Sequence, residues 1–390
     1  MTYYVRVGDV PNKRHTLHRG ADGRRLAEEL MGEEGFSGAS SLLYHLHSPS
    51  AITAIEPLEV KRSELTTNLP VRPMHLKAFD LPQGGDLVTA RHPLAASSTL
   101  TLCFVAADES SELYRNAAGD ELVFIHTGHV VFESVFGRIE AGPGDYVVVP
   151  QSTTHRWVIA NQTEPVRALI LEAFGHIGPP ARYLTQTGQF REGAPYSERD
   201  LRPPDGPLVI AEDGVRVMIR SRAGWSVHVH EHHPFDVVGW DGCAYPFAFS
   251  IKDFEPIVGR IHQPPPVHQT FAGPGFVVCS FVPRLYDFDP AAVKIPYHHA
   301  NVDSDEVLYY VEGNFMSRKG AGIAAGSLTL HPAGFVHGPQ PGSVEASMDE
   351  TRTDETAVMV DTFEPLLVSD DARSVADPSY ERSWLSDGGR

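Results

Sequence analysis

Short apolar runs separated by turn residues make up most of the chain beyond residue 97. These runs are rich in valine, isoleucine and aromatic residues, and they end at glycine, proline or acidic residues, which is typical of strands. The predicted strands are STLTLCFVAA, ELVFIHTG, HVVFES, DYVVVP and RALILEAF in the first half of the chain, and FAFSI, GFVVCSFVP, EVLYYVEG, GSLTLHP and AVMVDTFEP in the second.

Two stretches depart from this pattern. The segment RRLAEELMGEEG, residues 24–35, is rich in helix-forming residues and predicts a helix. It belongs to residues 1–95, which we expect to pack as a lead-in on the first half. Residues 173–223 are dense in glycine and proline, as in GHIGPPARY, and predict a connection between two β-rich halves.

The composition agrees with a mostly β protein. The chain of 390 residues contains 34 Gly and 31 Pro, which interrupt it too often for long helices. Its apolar residues, 42% of the total, are sufficient for a substantial core. The length allows two domains or two similar halves.

Charge and cysteine content narrow the class of protein. A formal net charge of -18 repels a phosphate backbone, so nucleic acid is not expected as a partner. The cysteines are few and far apart, which excludes a disulfide framework and favours a reducing compartment. The first residues lack the apolar run of a signal peptide, and no segment reaches the ~18 apolar residues of a membrane span. We therefore expect a cytoplasmic protein without membrane contact.

Both halves carry the same spacing of glutamate, glycine, proline and histidine. In each half a glutamate is followed by six residues and a glycine, and later a glycine is followed by five residues and a proline, with a histidine five positions after it. These positions are Glu121, Gly128, Gly144, Pro150 and His155 in the first half, and Glu306, Gly313, Gly326, Pro332 and His337 in the second. Such self-similarity indicates two copies of one structural unit.

The repeated positions resemble the two sequence motifs of the cupin superfamily. The second half matches well, in HANVDSDEVLYYVEG and GSLTLHPAGFVH, and the first half only in part. The resemblance implies an all-β bicupin, with two antiparallel jelly-roll barrels and a few short helices. On this basis, residues 1–172 are predicted to contain a degenerate barrel, residues 173–223 to connect, and residues 224–390 to form a C-terminal barrel with a metal site.

The cupin motif assigns metal ligands in the second half. Neighbouring residues on an extended strand point to opposite faces, so only one of His298 and His299 can face the barrel interior, and the motif selects His299. Where a further histidine is usual, the chain has Asn301, a poor ligand for a transition metal. The remaining ligands are His299, Glu306 and His337, the set of two imidazoles and one carboxylate found in non-haem Fe(II) oxygenases.

The first half departs from the motif at the matching positions. Before Glu121 the chain reads YRNAAGDE, with Tyr114, Arg115 and Asn116 in place of histidines. Only Glu121 and His155 remain as possible ligands, and two ligands beside an arginine make a poor metal site. The first half is therefore predicted to have a packing role and to hold no catalytic ion.

Several further segments resemble the homogentisate 1,2-dioxygenase family. They include PNKRHT, GEEGFSGASSLLYHLH, HHPFDVVGWDG, YPFAFSIKDFEPIVGRIHQPPP, PYHHAN, HPAGFVHGPQ and AVMVDTF, in the family's order. The resemblance implies that the three ligands bind Fe(II), that His262 is an acid/base histidine, and that His331 positions the substrate or the oxygen. The chain departs from the family in one extra residue between the first ligand histidine and the glutamate, and in Phe315, near the place of an aromatic hydroxyl.

The resemblance implies a dioxygenase that converts homogentisate and O2 into maleylacetoacetate, a step of tyrosine and phenylalanine breakdown. Its partners would be a small aromatic substrate and O2, and a homo-oligomer is expected. One alternative keeps the fold and the iron but acts on another dihydroxylated ring, such as gentisate or a secondary-metabolite hydroquinone. A second is a non-enzymatic metal-containing bicupin that binds a small ligand. A complete triad favours an enzyme, because storage or sensing needs no open coordination position.

A second histidine cluster, HVHEHHPFD at residues 228–236, has spacing that could also suit a metal. His228, His230 and His232 alternate and would share one strand face, as in a zinc or nickel site. The cupin spacing is absent there, so a strand facing solvent or lining the rim of the active site is the favoured interpretation. The acidic run DSDE, residues 303–306, is expected to be mostly a solvated turn in which only Glu306 points inward. Asp305 is an alternative to Glu306 as the metal ligand.

Overall fold

Strands form most of the regular structure in the computed structural model, which describes residues 3–60, 63–160, 163–318 and 322–385. The strands of the first part of the chain are β1 (Val5–Gly8), β2 (Ala27–Gly32), β3 (Ser40–His45), β4 (Ile52–Leu58), β5 (Leu65–Thr67), β6 (Met74–Lys77), β7 (His92–Ala96), β8 (Leu100–Ala107), β9 (Leu113–Asn116), β10 (Glu121–Thr127), β11 (Val130–Ser134), β12 (Gly137–Ala141), β13 (Asp145–Val149) and β14 (Thr154–Val158). The following strands are β15 (Val166–Ala173), β16 (Leu201–Arg202), β17 (Asp213–Ser221), β18 (Gly224–His232), β19 (Val237–Gly242), β20 (Phe247–Ser250), β21 (Gln269–Gly273), β22 (Phe276–Phe281), β23 (Arg284–Leu285), β24 (Asp305–Glu312), β25 (Ser327–His331), β26 (Arg352–Thr353), β27 (Thr356–Thr362) and β28 (Leu367–Ser369).

Helices are short within these described ranges. The α-helices are α1 (Ser343–Ser347) and α2 (Asp370–Ser374), and the other helical segments are single 3-10 turns. In the same ranges, no helix has the length and apolar character needed to cross a membrane. The prediction of an all-β, cupin-like protein with a few short helices is confirmed, although each sheet keeps open edges and does not close into a barrel.

Residues 1–61, 83–91 and 105–250 form one compact unit. Within it the strands β12-β11-β14-β9-β17-β18-β4 make one sheet, β1-β19-β3-β2 make another, and β16-β20-β13-β10-β15 lie side by side. The central strand β10 is buried over residues 122–125, where the sequence is apolar on both faces. The hairpin β17–β18 belongs to this unit, so its end near residue 250 does not coincide with the predicted boundary after residue 223.

Residues 62–82, 92–104 and 251–390 form the other compact unit. Its main sheet has the order β21-β22-β27-β24-β25-β6. Strand β6 comes from the predicted lead-in, and it pairs antiparallel with β25, for example through His75 and Thr329. The lead-in therefore supplies a strand to this unit as well as residues to the first one, whereas it was expected to pack on the first half.

The two strands that carry the repeated glutamates have equivalent neighbours within their own units. Strand β10 lies between β13 and β15, and strand β24 lies between β25 and β27, with antiparallel pairing in both cases. Glu121 is thus opposite Val149 and Glu172, while Glu306 is opposite His331 and Asp361. The predicted internal repeat corresponds to this shared arrangement of three strands.

The helix predicted over residues 24–35 is wrong. Strand β2 occupies Ala27–Gly32 and pairs antiparallel with β3, for example Leu30 with Leu42. Leu26, just before the strand, packs in a buried cluster with Leu42 and Tyr44. Helix propensity differs by only a few tenths of a kcal/mol per residue, so pairing with a buried strand outweighs it.

Candidate metal centre and cavity

Glu306 lies near the beginning of strand β24 and is almost completely buried. The alternation of side chains along the strand separates it from Asp305, which points elsewhere. The two carboxylate oxygens of Asp305 accept hydrogen bonds from the backbone N–H groups of Ala333 and Leu366, both at 2.8 Å. Asp305 therefore fixes two loops, and this use removes it as a rival ligand to Glu306.

His299 and His337 come from two loop segments that the backbone ties together. The N–H of His299 donates to the carbonyl of His337 at 2.8 Å, and the N–H of His337 donates to the carbonyl of His299 at 2.9 Å. This pair of bonds places the imidazole rings with their centroids 4.4 Å apart. Residues that are distant in sequence are thus held side by side before any metal binds.

The three predicted ligands converge on one point. The Nε2 atom of His299 lies 3.7 Å from Oε2 of Glu306, and the Nε2 atom of His337 lies 3.2 Å from Oε1. All three ligand atoms lie within 4.8 Å of one another, which is found for no other group of three histidine, cysteine or acidic residues in the described ranges.

The remaining polar atoms of the ligands fit a divalent metal ion. Nδ1 of His299 lies 3.1 Å from the carbonyl of Tyr297, and Nδ1 of His337 lies 3.0 Å from the carbonyl of Phe335. With Nδ1–H donated to a carbonyl, the lone pair of each ring is on Nε2, as in metal-binding histidines. The Nε2 atom of His337 is buried and has no hydrogen-bond partner among the described residues, although Glu306 is near it.

The electrostatics of the cluster also fit a cation. Burial alone would raise the pKa of Glu306, but the adjacent imidazoles of His299, His331 and His337 lower it well below its usual range. A hydrogen bond to Glu306 in turn raises the pKa of His299. A metal ion would therefore meet an ionised carboxylate.

His331 is completely buried and contacts Glu306. Its Nδ1 atom is 2.9 Å from Oε1 of Glu306, and its Nε2 atom is 2.9 Å from the hydroxyl of Tyr380. Burial lowers the pKa of His331 to about 3, so the ring is neutral. A neutral ring in this place donates from Nδ1 to Glu306 and accepts from Tyr380. His331 does not line the cavity, so its contacts are with Glu306 rather than with the space available to a substrate.

A cavity of about 330 Å³ adjoins the cluster. Two of the predicted ligands, His299 and Glu306, contribute to its wall. His262 lines it too, from the loop before the 3-10 turn Pro265–His268, with a side chain that is 42% exposed. Its ring centroid lies 5.2 Å from that of Tyr297, and its Nδ1 atom lies 3.9 Å from a carboxylate oxygen of Asp287. The predicted acid/base histidine and two of the three predicted ligands thus line one cavity.

Other polar residues of this cavity were not predicted. The guanidinium of Arg318 donates to the Tyr310 hydroxyl at 3.1 Å and to the Gly338 carbonyl at 2.6 Å, next to a ligand histidine. Asn301 donates from its amide to Asp361 at 3.1 Å. Burial, with the charge of Glu306, raises the pKa of Asp361 to about 7. Asn301 could have been found from its motif position, whereas Arg318 and Asp361 carry no motif.

The corresponding position of the first unit contains a guanidinium group. Arg91 donates to both carboxylate oxygens of Glu121 at 2.9 Å and to Glu172 at 2.7 Å. Arg220 forms a further ion pair with Glu172. Burial lowers the pKa of His155 to about 4, so this ring is neutral. Arginines thus balance the two buried carboxylates, and the packing role of the first half stays a prediction.

Arg115 was the arginine expected to make this half a poor metal site, but it is not the arginine that binds Glu121 and Glu172. Its Nε atom donates to Thr154 at 2.7 Å. Its strand neighbours Tyr114 and Asn116 instead bind Glu121, at 3.0 and 2.9 Å, because alternate residues of β9 face the same side. The signal that could have identified Arg91 was a charged residue within an otherwise apolar segment.

The histidines at 228, 230 and 232 lie on β18, as predicted, but they do not form a metal-like group. His232 binds Asp213 at 2.8 Å and stacks on His47, with ring centroids 3.9 Å apart. Burial lowers the pKa of His230 to about 4, with the charge of Arg115 adding to the effect. On this strand of the first unit His230 is buried, whereas His228 and His232 are partly exposed.

An antiparallel, cupin-like sheet that presents two histidines and a glutamate beside a cavity defines the class of a two-histidine, one-carboxylate cupin. Residues 50–251 match the family described as Homogentisate 1,2-dioxygenase N-terminal. A protein of Saccharolobus solfataricus that bears a dioxygenase name is 40% identical, over 99% of this chain and 100% of its own length. The chain belongs to the homogentisate 1,2-dioxygenase family, and it is an oxygenase.

More distant relatives agree with this assignment. The homogentisate 1,2-dioxygenase of Emericella nidulans is 25% identical, over 69% of this chain and 62% of its own length. Among solved structures, a cupin 2 conserved barrel domain protein from Leptotrichia buccalis aligns over 82% of this chain and 97% of its own, with 8% identity and a TM-score of 0.31. That TM-score is too low to support an argument, and the fold assignment rests on the sheets and on the family.

Proposed function

We propose that the protein is a non-haem Fe(II) dioxygenase that cleaves the ring of homogentisate with O2 and forms maleylacetoacetate, a step of tyrosine and phenylalanine breakdown. The observation that carries this proposal is the cluster of His299, Glu306 and His337, of which His299 and Glu306 line the cavity. Three protein ligands leave coordination positions for a substrate and for O2. Bound to them, Fe(II) would supply the oxygen chemistry.

The cavity provides a place for one aromatic ring. Its volume of about 330 Å³ is near the lower end for a ligand pocket, which suits a small substrate. Leu308, Met359 and Phe281 give it apolar wall area against which a ring can pack. Such a wall also keeps water away from the ring while it reacts.

His262 is suited to proton transfer with a ring hydroxyl. It is in the cavity wall and keeps contact with solvent, so a proton that it accepts can leave. Imidazole is the side chain that most often serves as a general acid or base. On this proposal, His262 accepts the proton of the hydroxyl farther from the metal, or accepts a hydrogen bond from it, and thereby raises the electron density of the ring.

His331 is a positioning residue in this proposal. It donates to Oε1 of Glu306, so it fixes the direction of the carboxylate. Tyr380 holds the opposite edge of the ring, and the stack of His331 on His337, with centroids 3.9 Å apart, restricts both imidazoles. The hydrogen bonds that run from Tyr380 through His331 to Glu306 therefore orient a metal ligand from outside the cavity.

Oxygen uptake tests the proposed reaction. The protein is loaded with Fe(II) under argon and then given homogentisate, gentisate or unsubstituted hydroquinone in buffer that contains O2. We expect uptake with homogentisate, with one O2 consumed for each ring cleaved. Glu306→Gln should abolish it, whereas Glu312→Gln, on the exposed end of the same strand, is the matched control and should not.

The other outcomes separate the alternatives. Uptake with gentisate or hydroquinone but not homogentisate would reject homogentisate as the substrate and support iron chemistry on another ring. Absence of uptake with every ring, from protein that has bound iron, would reject the dioxygenase and favour a small-ligand-binding bicupin.

A further inference from the structure

The cavity next to the predicted metal centre contains positive charge that the proposed reaction has not used. Arg284, on β23, and Lys294, in the loop that follows, both line it and are half-buried. In the ranges of the chain that the structure describes, no carboxylate oxygen lies within 4.0 Å of either cation. Two cations at a cavity wall without a carboxylate in contact indicate a place for an anion.

The hydrogen bonds of the two cations leave most of their N–H groups available. Nη1 of Arg284 donates to the carbonyl of Val282 at 3.2 Å, and Nζ of Lys294 donates to the carbonyl of Asp287 at 2.9 Å. The guanidinium also lies over the ring of Phe281, 5.8 Å from its centroid. A carbonyl cannot neutralise a cation, and removing a guanidinium from water without a counter-ion costs free energy.

Neighbouring groups do not supply the missing negative charge by direct contact. Glu355 lines the same cavity, and its charge and that of Asp287 act on Arg284, but neither carboxylate forms an ion pair with Arg284 within 4.0 Å. Burial raises the pKa of Glu355, so its ionised form is disfavoured. Burial lowers the pKa of His268 to about 3, with Arg284 and His262 adding to the effect, so this ring adds no further cation.

We propose that Arg284, assisted by Lys294, binds the carboxylate of an aromatic acid and makes the enzyme select such acids over neutral dihydroxylated rings. The planar guanidinium can donate two parallel N–H groups to a carboxylate, which fixes the direction of the substituent as well as its charge. This inference rests on the proposed function, because it concerns the substrate of the same cavity. It favours homogentisate or gentisate over an uncharged hydroquinone.

Binding of two matched probes tests the inference without any turnover. The probes are 2-hydroxyphenylacetate and its methyl ester, which have one ring hydroxyl each and differ in the charge of the side arm. Calorimetric titration under argon, with the full chain, gives both dissociation constants. We expect the acid to bind at least about tenfold more tightly than the ester, as one charge-assisted hydrogen-bonded pair predicts.

Variants identify the residue responsible. Arg284→Gln should remove the preference for the acid and leave the affinity for the ester unchanged. Arg284→Lys keeps the charge but loses the pair of parallel N–H donors, so it should retain part of the preference. Arg352→Gln is the matched control, since Arg352 lies on the partner strand β26, is exposed and does not line the cavity. Equal binding of acid and ester by the unaltered protein, or an unchanged preference in Arg284→Gln, would overturn the inference.

The outcomes also separate this inference from the proposed reaction. A preference for the acid that depends on Arg284, in a protein that consumes no O2 with any ring, would leave the inference standing and reject the dioxygenase. Oxygen uptake with homogentisate, together with equal binding of the two probes, would support the dioxygenase and reject the inference about Arg284. If Arg284→Gln does not fold, Arg284→Lys and Lys294→Gln supply the same comparison, and a full preference in both would overturn the inference.

Discussion

Oε1 of Glu306 lies 2.9 Å from Nδ1 of His331, on the side of the carboxylate that does not face the cavity. The opposite ring nitrogen of His331 lies 2.9 Å from the hydroxyl of Tyr380. A predicted metal ligand is thus held by a neutral imidazole that is itself held by a residue near the end of the chain. Metal affinity should therefore depend on a residue that touches neither metal nor substrate.

Tyr380→Phe is expected to weaken metal binding without changing the number of ions bound. Loss of the hydroxyl frees His331 to turn and leaves a buried ring nitrogen without a partner, so the direction of Glu306 is less fixed. Changes of this kind typically cost roughly 10–100-fold in metal affinity. Competition with a chelator, followed for Zn(II) or Fe(II), measures the affinity. Tyr183→Phe, at a buried tyrosine of the first unit, is the control, and equal affinities for Tyr380→Phe and the unaltered protein would reject this role.

Metal content is expected to be one ion per chain, although two halves carry the repeated glutamate. The ligands of the second half converge, while Arg91 already neutralises Glu121 in the first. His337→Gln should bring the metal content close to zero, because it removes one of three ligands. His155→Gln, the matched change in the first half, should leave it at one. Elemental analysis by mass spectrometry after metal loading gives the count, and two ions per chain in the unaltered protein would contradict the interpretation.

The spacing of residues in the sequence was sufficient for the parts of the site that local geometry fixes. The glutamate at the start of a strand and the histidine after a turn follow from a motif, so Glu306 and His337 could be named before their positions were known. Asn301 was predicted to be a poor ligand, and its amide donates a hydrogen bond to Asp361. Residues whose role depends on pairing between distant strands, such as Tyr380, had no local signal.

The same limit explains the errors in the fold. Residues 24–35 have good helix propensity, yet their pairing with β3 determines a strand, and no periodicity in the segment reveals the partner. Arg91 is separated from Glu121 and Glu172 in sequence, but it is hydrogen-bonded to both. Arg115, which is near Glu121 in sequence, faces away. Sequence distance was a poor guide wherever a charge had to be balanced across strands.

Arg91→Met is expected to destabilise the protein by about 3–5 kcal/mol, because it leaves two buried carboxylates with too little positive charge. Arg91 is the main group that lowers the pKa of Glu121 against the opposing effect of burial. Without it the carboxylates should prefer their neutral forms, so the loss should be smaller at acidic pH than at pH 7. Urea unfolding at both pH values measures this. Arg138→Met, at an exposed ion pair with Glu140, is the control and should cost about 0–1 kcal/mol.

The stability of the protein is expected to fall as pH rises from about 6.5 to about 9, because of His45 on β3. This side chain is buried, with Nδ1 2.6 Å from Asp236 and Nε2 3.0 Å from Glu29. Burial alone would lower the pKa of His45, but the hydrogen bonds to Asp236 and Glu29 raise it to about 9. The folded state therefore binds this proton more tightly than the unfolded state, in which the histidine has its ordinary pKa of 6.5.

When the pKa of a histidine is higher in the folded state than in the unfolded state, its protonation stabilises the folded state. This contribution is complete at pH values below the pKa of the unfolded state, and it is lost as the pH rises through the pKa of the folded state. The difference corresponds to at most roughly 3 kcal/mol in the free energy of unfolding. Urea unfolding at pH 6 and pH 9.5 should show this decrease, and His45→Gln should remove most of it. Neutral buried histidines such as His155 and His230, each with a pKa of about 4, titrate below this window and do not interfere. His15→Gln, at a side chain that is 91% exposed beside Glu28, is the control, and a decrease that persists in His45→Gln would place its origin elsewhere.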